Sequence, residues 1–138
     1  MFEQKVVSDI MDGSIVPLSV DSRLGEAVES LVASKYSGLP VVDSSKKLCG
    51  FLSEHDCLRY LISSSYYLDD RTIVSDIMFR EPMSVMPSER VLHLAERMEG
   101  GKPKIYPVCD QGHLMGVVTR KDVMRELAAA LSSTKVSA

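Results

Sequence analysis

The chain has 138 residues, of which 45% are hydrophobic and 25% are charged. This composition is typical of a globular protein with a substantial core. A net charge of −3 gives no electrostatic basis for binding nucleic acid, and no apolar run approaches the roughly 20 residues that cross a bilayer. Because no basic stretch leads into an apolar segment at the N-terminus, we expect a cytoplasmic protein with no nucleic-acid or membrane partner.

The first half of the sequence predicts the element order β-α-β-β-α. An extended run at 16–20 precedes an amphipathic helix, for which Asp21 or Ser22 is the expected N-cap. The apolar side chains of that helix recur at helical spacing, at Leu24, Ala27, Val28 and Leu31. The remaining elements are predicted as strands at 39–42 and 48–52, joined by a polar turn, and a helix at about 54–63.

The second half predicts the same order of elements. Its first helix is expected to begin after the N-cap Ser88 and carries apolar side chains at Val91, Leu94, Ala95 and Met98. The other elements are predicted as extended segments at 83–86, 105–109 and 114–118 and a final helix at about 120–131.

The two halves match as a duplication. Val7-Ser8-Asp9-Ile10-Met11 recurs 67 positions later as Val74-Ser75-Asp76-Ile77-Met78. Collinear matches pair Pro40-Val41-Val42-Asp43 with Pro107-Val108-Cys109-Asp110, and 48–53 with 114–119. We therefore predict a first repeat at 1–66, a connector at 67–73 and a second repeat at 74–138.

A single repeat of roughly 60 residues would be only marginally stable. Two repeats in one chain can bury their apolar faces against each other. The expected fold class is therefore α/β (α+β), a pseudo-twofold pair of repeats with small mixed sheets flanked by helices. Tyr66 and Tyr67, in the polar stretch between the repeats, are predicted to be packing residues.

The scattered cysteines and histidines form no metal-ligand spacing and no disulfide framework: Cys49, Cys57, Cys109, His55, His93 and His113. We expect the cysteines to be small buried hydrophobes in a reducing compartment, and we assign no metal. No Ser-His-Asp or Cys-His set, P-loop or nucleophile elbow is recognisable, so we assign no catalytic residue.

One pattern ends the last strand of each half: Gly, two apolar residues, Ser or Thr, two variable residues and Asp, at 50–56 and 116–122. Ser53 and Asp56, or Thr119 and Asp122, have the spacing of a capping box at a helix N-terminus. The same side chains suit a ligand, because an ionised Asp accepts hydrogen bonds from ribose hydroxyls and a helix N-terminus favours phosphate. Both interpretations stay open at this point.

The whole chain resembles a tandem pair of cystathionine-β-synthase-type (CBS) domains, also called a Bateman module. The resemblance lies in the two Val-Ser-Asp-Ile-Met segments, the two apolar-Pro-Val-x-Asp strands and the two Ser/Thr-x-x-Asp corners, over about 6–131. It implies two clefts that accept AMP, ADP, ATP or a related adenosyl compound, with no cofactor. It also implies a homodimer, formed through helices rich in Ala and Leu such as 128–131.

The resemblance implies which residues would bind the ligand. One cleft would combine the Ser/Thr-x-x-Asp corner of the second repeat with residues that precede the strand proline of the first repeat and with backbone near residue 16. Its members would be Thr119, Asp122, Val117, Tyr36, Ser37, Gly38 and Val16. The other cleft would take Ser53, Asp56, Phe51, Lys104 and Ile105, with backbone near Met83. Phosphate contacts would come from Arg120, Lys121, Lys104 and His55. We favour the Thr119 cleft, because Gly38 leaves room for a ligand where its counterpart Ile105 is bulky.

These observations predict a regulatory module that binds an adenosyl ligand and signals to a partner protein of unknown identity. One alternative is a purely structural or dimerising module, in which the two corners only cap helices. A small enzyme is the remaining alternative, and no recognised catalytic set supports it.

Overall fold

The computed structural model describes residues 5–64 and 71–137. The helices of this part of the chain are α1 (Val7–Ile10), α2 (Leu24–Ala33), α3 (Glu54–Ser64), α4 (Val74–Ile77), α5 (Val91–Arg97) and α6 (Arg120–Ser137). The strands are β1 (Leu18–Ser19), β2 (Gly38–Val42), β3 (Leu48–Ser53), β4 (Ile105–Asp110) and β5 (His113–Thr119). The mixed α/β fold class expected from the sequence, with small sheets flanked by helices, is confirmed.

The chain divides into two compact units. Unit 1 combines the chain up to Ile15 with the chain from Met83 onward, and unit 2 is the continuous segment Val16–Pro82. Each unit therefore joins the body of one sequence repeat to the Val-Ser-Asp-Ile-Met segment of the other. The division at 1–66, 67–73 and 74–138 describes the duplication in the sequence and stays a prediction. Tyr66, Tyr67 and residues 68–70 lie outside the described residues.

Unit 2 contains a three-stranded sheet in the order β1-β2-β3. Strand β1 is parallel to β2, and β2 is antiparallel to β3, with Gly38 opposite Ser53 and Pro40 opposite Phe51. Alternate side chains point to opposite faces of a strand, and Leu39, Val41 and Leu52 on one face are buried. The predicted face of α2 is also buried, at Leu24, Ala27 and Leu31.

Unit 1 contains the two-stranded antiparallel sheet β4-β5 and one hydrophobic cluster. That cluster consists of Val7, Val85, Val91, Leu94, Met98, Tyr106, Val108, Val118 and Val123. The extended run predicted at 83–86 forms a single parallel bridge from Val85 to Val108 instead of a strand. Val85 is bound to β4 through both of its main-chain groups: its nitrogen donates to Pro107 O at 3.0 Å and its oxygen accepts from Cys109 N at 2.9 Å.

Each Val-Ser-Asp-Ile segment forms a short helix that the periodicity of the sequence did not predict. The Asp9 carboxylate accepts a hydrogen bond from Val6 N at 2.9 Å, and the Asp76 carboxylate accepts one from Ile73 N at 3.0 Å. These bonds satisfy main-chain donors at the start of α1 and α4. A turn of four residues has too few apolar positions to show helical spacing in a sequence.

The chain after each short helix crosses a strand at a glycine. Asp12 exchanges main-chain hydrogen bonds with Val117 at 2.8 and 3.2 Å, and Phe79 exchanges two with Phe51 at 2.9 Å. A Cβ atom at Gly116 would lie 2.6 Å from Asp12 O, and one at Gly50 would lie 2.9 Å from Phe79 O. The duplicated glycine of the corner pattern is therefore required by the close approach of another main chain.

The N-caps predicted for α2 and α5 are wrong. The structure places Arg23 and Arg90 at these positions, and neither side chain makes a capping hydrogen bond. The helix starts are held by distant main chain instead, since Leu24 N donates to Thr72 O at 2.9 Å and Val91 N donates to Lys5 O at 3.0 Å. These tertiary bonds take the place of the local cap that Asp21, Ser22 or Ser88 was expected to supply.

In the described residues, no helix combines the length and apolar character that a membrane span requires. The cytoplasmic location expected from composition is not tested by this finding and stays a prediction.

Candidate functional site

The two Ser/Thr-x-x-Asp corners lie where a strand passes directly into a helix. Ser53 ends β3 and Glu54 begins α3, while Thr119 ends β5 and Arg120 begins α6. All four corner side chains, Ser53, Asp56, Thr119 and Asp122, are half-buried. Because no loop separates strand from helix, the rigid ladder of the sheet fixes the position of the first helical turn.

The Thr119 corner of unit 1 is a reciprocal capping box. Thr119 N donates to Asp122 Oδ2 at 2.9 Å, and Asp122 N donates to Thr119 Oγ1 at 3.1 Å. The second carboxylate oxygen, Oδ1, accepts from Arg125 Nη1 at 3.2 Å. The Thr119 hydroxyl acts as an acceptor in this arrangement, so its own proton is available for a ligand.

The Ser53 corner of unit 2 differs in the use of its hydroxyl. Ser53 Oγ accepts from Asp56 N at 3.1 Å and also donates to Asp56 Oδ2 at 3.0 Å. The hydroxyl proton of Ser53 is therefore used within the corner, unlike that of Thr119. The two corners share a sequence pattern but offer different hydrogen-bonding groups to a ligand.

The pre-proline residues of each repeat lie beside the corner of that same repeat. In unit 2, Glu54 N donates to Ser37 O at 2.9 Å and Gly38 pairs with Ser53. In unit 1, Arg120 N donates to Lys104 O at 2.8 Å and Ile105 pairs with Thr119. The grouping of each corner with the pre-proline residues of the other repeat involves both units and stays a prediction.

The space expected above Gly38 is filled by an aromatic ring. A Cβ atom at Gly38 would overlap Cε1 of Phe51 and lie 2.8 Å from Cζ of the same ring. Phe51 follows Gly50 in the corner pattern, and the resemblance assigned it to the Ser53 cleft. No sequence pattern indicated that these two candidate residues contact each other.

The other candidate residues differ widely in exposure. Val117 is only 1% exposed, whereas Val16 is 77% exposed and Met83 is 42% exposed. Tyr36 and Ser37 are half-buried, and Lys35 Nζ lies 5.5 Å from the centroid of the Tyr36 ring. All the candidate phosphate-binding side chains are exposed, namely His55, Lys104, Arg120 and Lys121.

Arg125 is a candidate residue that the sequence reasoning missed. Its side chain is 73% exposed and contacts that of Asp122, which is 20% exposed. The match of Ser53 to Thr119 also aligns Arg59 with Arg125, so an arginine stands three residues after the corner Asp in both repeats. Extending the repeat comparison by three residues would have found it.

Among the residues that the structure describes, the cysteines form no metal site with histidines or carboxylates. All three are free; Cys57 and Cys109 are buried, as expected for small hydrophobic side chains, whereas Cys49 is only half-buried. Burial raises the pKa of both thiols, and the nearby Asp56 and Glu54 carboxylates add to the effect at Cys57. Over the described parts of the chain, no group of three or more His, Cys, Asp or Glu side chains has the arrangement of a metal site.

The sequence is duplicated, the structure is mixed α/β, and each copy contains a capped Ser/Thr-x-x-Asp corner. These features define a tandem pair of small α/β modules. The family model of the CBS domain matches the chain twice, at residues 7–63 and 74–129. The chain therefore belongs to the CBS domain family, as a tandem pair.

Solved structures show the same fold. CBSX2 of Arabidopsis thaliana in complex with AMP is 30% identical, with a TM-score of 0.77 over 94% of this chain and 98% of that chain. A CBS domain pair in complex with 5′-methylthioadenosine and S-adenosyl-L-methionine is 26% identical, with a TM-score of 0.71 over 91% of this chain and 98% of that chain.

Two curated relatives are much longer than the region they share with this chain. An uncharacterized protein of Methanocaldococcus jannaschii is 25% identical over 89% of this chain, which spans 43% of that protein. The inosine-5′-monophosphate dehydrogenase of Aquifex aeolicus is 32% identical over 80% of this chain, which spans 22% of that enzyme. Similarity to such an enzyme thus concerns only a fraction of its length.

Proposed function

We propose that the chain is a regulatory module that binds an adenine nucleotide or related adenosyl compound and signals its presence to a partner protein. The observation that carries this proposal is the Thr119 corner, which presents a fixed carboxylate and a hydroxyl proton at a helix N-terminus. Support comes from two CBS pairs of the same fold, one in complex with AMP and the other with S-adenosylmethionine and methylthioadenosine. The adenosyl group is common to these three ligands.

The chemistry of the Thr119 corner suits a ribose. A carboxylate offers about four lone-pair sites, and Asp122 uses one for Thr119 N and one for Arg125. The remaining sites can accept hydrogen bonds from the neighbouring 2′ and 3′ hydroxyls of a ribose, as an acidic residue does for the 2′ hydroxyl in dinucleotide-binding folds. Arg120 and Lys121 begin α6, where exposed cations and the positive end of the helix dipole favour phosphate.

We favour the Thr119 corner over the Ser53 corner for a reason that the sequence did not provide. Ser53 donates its hydroxyl proton to Asp56, so a ligand must compete with that bond. The proposed ligand-binding set for the favoured corner is Thr119, Asp122 and Val117, with Tyr36, Ser37, Gly38 and Val16. The set for the weaker corner is Ser53, Asp56 and Phe51, with Lys104, Ile105 and His55.

The module is proposed to act through assembly and population shift, without catalysis. A bound ligand stabilises the conformation that binds it best, and a partner protein that recognises this conformation reads the signal.

Exposed apolar side chains on α3 and α6 suit a homodimer, since Leu58, its aligned counterpart Met124 and Leu131 are 58%, 60% and 66% exposed. Light scattering during gel filtration that gives the 15.2 kDa mass of one chain would reject the homodimer.

A purely structural module is the second candidate, because both corners already cap a helix. Under that function the carboxylates have no ligand, and their replacement changes stability alone. Calorimetric titration of the full chain with AMP, ADP, ATP, S-adenosylmethionine and methylthioadenosine separates the two functions. Binding of at least one compound supports the sensor, and no heat from any of them at millimolar concentration supports the structural module.

Variants locate the binding to the corner. Asp122→Ala should abolish binding, while Asp9→Ala should retain it. Asp9 is a matched control because it caps Val6 N of the same unit at 2.9 Å and belongs to neither corner. If binding persists in Asp122→Ala, the ligand binds at a site other than the Thr119 corner.

A further inference from the structure

Phe51 and Gly38 share one face of the β2–β3 hairpin. Gly38 is opposite Ser53 and Pro40 is opposite Phe51, so all four residues alternate onto the same side of the sheet. The missing side chain of Gly38 is replaced there by the Phe51 ring, which lies against the main chain of residue 38. The ring therefore covers a main chain that is proposed to contact the ligand.

The main chain on both sides of this contact is fixed, whereas the ring is held only by packing. Phe51 exchanges two hydrogen bonds of 2.9 Å with Phe79, and Gly38 belongs to the β2 ladder. The Phe51 side chain is half-buried, so part of it faces solvent. Rotation about its side-chain torsions can uncover Gly38 without breaking any of these main-chain bonds.

The contact is specific to unit 2. The repeat alignment places Ile105 at the position of Gly38 and Val117 at the position of Phe51. The duplicated hairpin thus carries its bulky side chain two residues before the strand proline in unit 1, at Ile105, and on the following strand in unit 2, at Phe51. The covered glycine is a property of this sequence and not a necessity of the hairpin geometry.

We propose that the Phe51 ring is a gate that sets ligand affinity by covering Gly38 in the free chain and turning away when an adenosyl ligand binds against Gly38. This inference rests on the proposed function. A binding-competent state that is only partly populated lowers the apparent affinity by the populated fraction. Because Phe51 is itself assigned to the Ser53 corner, the same rotation links ligand binding at Gly38 to the surface offered at that corner.

Calorimetric titration of the full chain with AMP and with S-adenosylmethionine tests the gate. Phe51→Val, which introduces the residue found at the aligned position 117, should bind the stronger ligand roughly threefold or more tightly than the unmodified chain if the ring covers Gly38 about two-thirds of the time. Phe79→Val is the matched control in the same unit, because Phe79 is 60% exposed and belongs to neither corner; it should leave the affinity unchanged.

The outcomes separate the gate from the proposed function. Binding by the unmodified chain with equal or weaker affinity in Phe51→Val overturns the gate and leaves the sensor intact. Binding by Phe51→Val alone supports a gate that is closed most of the time. An absence of binding by every variant overturns the sensor and the gate together.

A second measurement observes the ring without substituting it. The chain has three phenylalanines, so incorporation of 4-fluorophenylalanine gives three fluorine resonances, which Phe2→Leu and Phe79→Leu assign by elimination. Saturating AMP should shift the Phe51 resonance and leave the Phe79 resonance in place. A Phe51 resonance that does not move under saturation would show that the ring stays on Gly38, and the gate would be wrong.

Discussion

The carboxylate of Asp122 lies 2.9 Å from the main-chain nitrogen of Thr119 and holds it at the end of β5. The side chain proposed to bind ribose is therefore also the side chain that completes the start of α6. This dual role explains why one sequence pattern, Ser/Thr-x-x-Asp, is typical of a helix cap and also suits a ligand-binding site. It also sets the design of substitutions, because the two roles respond differently to charge and shape.

Asp122→Asn should separate the two roles better than alanine does. The amide oxygen can still accept from Thr119 N, so the free energy of unfolding should fall by about 1 kcal/mol or less. The amide loses the negative charge that Arg125 contacts and that the ribose hydroxyls are proposed to contact, and we expect adenosyl binding to weaken at least about tenfold, since hydrogen bonds to a charged group contribute about 1.5–3 kcal/mol. Chemical denaturation and calorimetric titration of the same preparation measure both effects. An affinity equal to that of the unmodified chain would show that Asp122 does not contact the ligand.

The packing of Phe51 on Gly38 predicts an energetic coupling between the two residues. Gly38→Ala should destabilise the chain by about 1–3 kcal/mol, because its Cβ overlaps the ring. In a Phe51→Val background the same change should cost at least about 1 kcal/mol less, since the ring is gone. A double-mutant cycle by denaturant unfolding measures the coupling, and additive effects would mean that the ring relaxes freely.

Glycines in different environments should respond to alanine with opposite signs. Gly116→Ala places a Cβ 2.6 Å from Asp12 O, a main-chain atom that accepts a hydrogen bond from Val117 N at 3.2 Å, and should destabilise by about 1–3 kcal/mol or more. Gly25→Ala is the control, because nothing lies within 4 Å of its Cβ position in α2 and alanine favours helix; it should stabilise by about 0.5–1 kcal/mol. Thermal unfolding of both variants checks the signs, and destabilisation by Gly25→Ala would contradict the assigned helix.

Tyr106→Phe should stabilise the chain. The Tyr106 hydroxyl is fully buried and has no hydrogen-bond partner within the described part of the chain, so its removal should raise the free energy of unfolding by about 1 kcal/mol. A loss of stability in Tyr106→Phe at neutral pH would show that the hydroxyl is satisfied.

The pH dependence of the Tyr106 contribution has a defined sign. Burial raises the pKa of Tyr106 above its ordinary value of 10.0, and Glu89 adds to this while Arg97 opposes it. The folded chain therefore favours the protonated phenol, and the associated stability is complete below about pH 10 and falls as the pH rises further. Denaturant unfolding between pH 9 and pH 11 should show a smaller decline for Tyr106→Phe than for the unmodified chain.

The sequence predicted those features that repeat or that have a period. The spacing of Leu24, Ala27 and Leu31 indicated the buried face of α2, and the recurrence of the corner pattern located both strand-to-helix junctions. The helical spacing is a local pattern, and the corner pattern occurs twice because of the duplication, so a single sequence is enough to detect both.

The features that escaped prediction depend on contacts between distant residues. The start of α2 is held by Thr72 and that of α5 by Lys5, which no local capping pattern reveals. The contact of Phe51 with Gly38 and the use of the Ser53 hydroxyl by Asp56 are likewise decided by side-chain orientation. A glycine in a sequence shows only that a side chain is missing, and the structure is needed to show what fills the space.

The division of the chain between the two units has a consequence for biosynthesis. Unit 2 is one continuous segment, Val16–Pro82, so all of its contacts are available once that segment has left the ribosome. The bonds between Asp12 and Val117 in unit 1 must wait until more than a hundred further residues have been translated. We expect Val16–Pro82 to acquire its native structure first, while α1 stays without a docking surface until β5 has been translated.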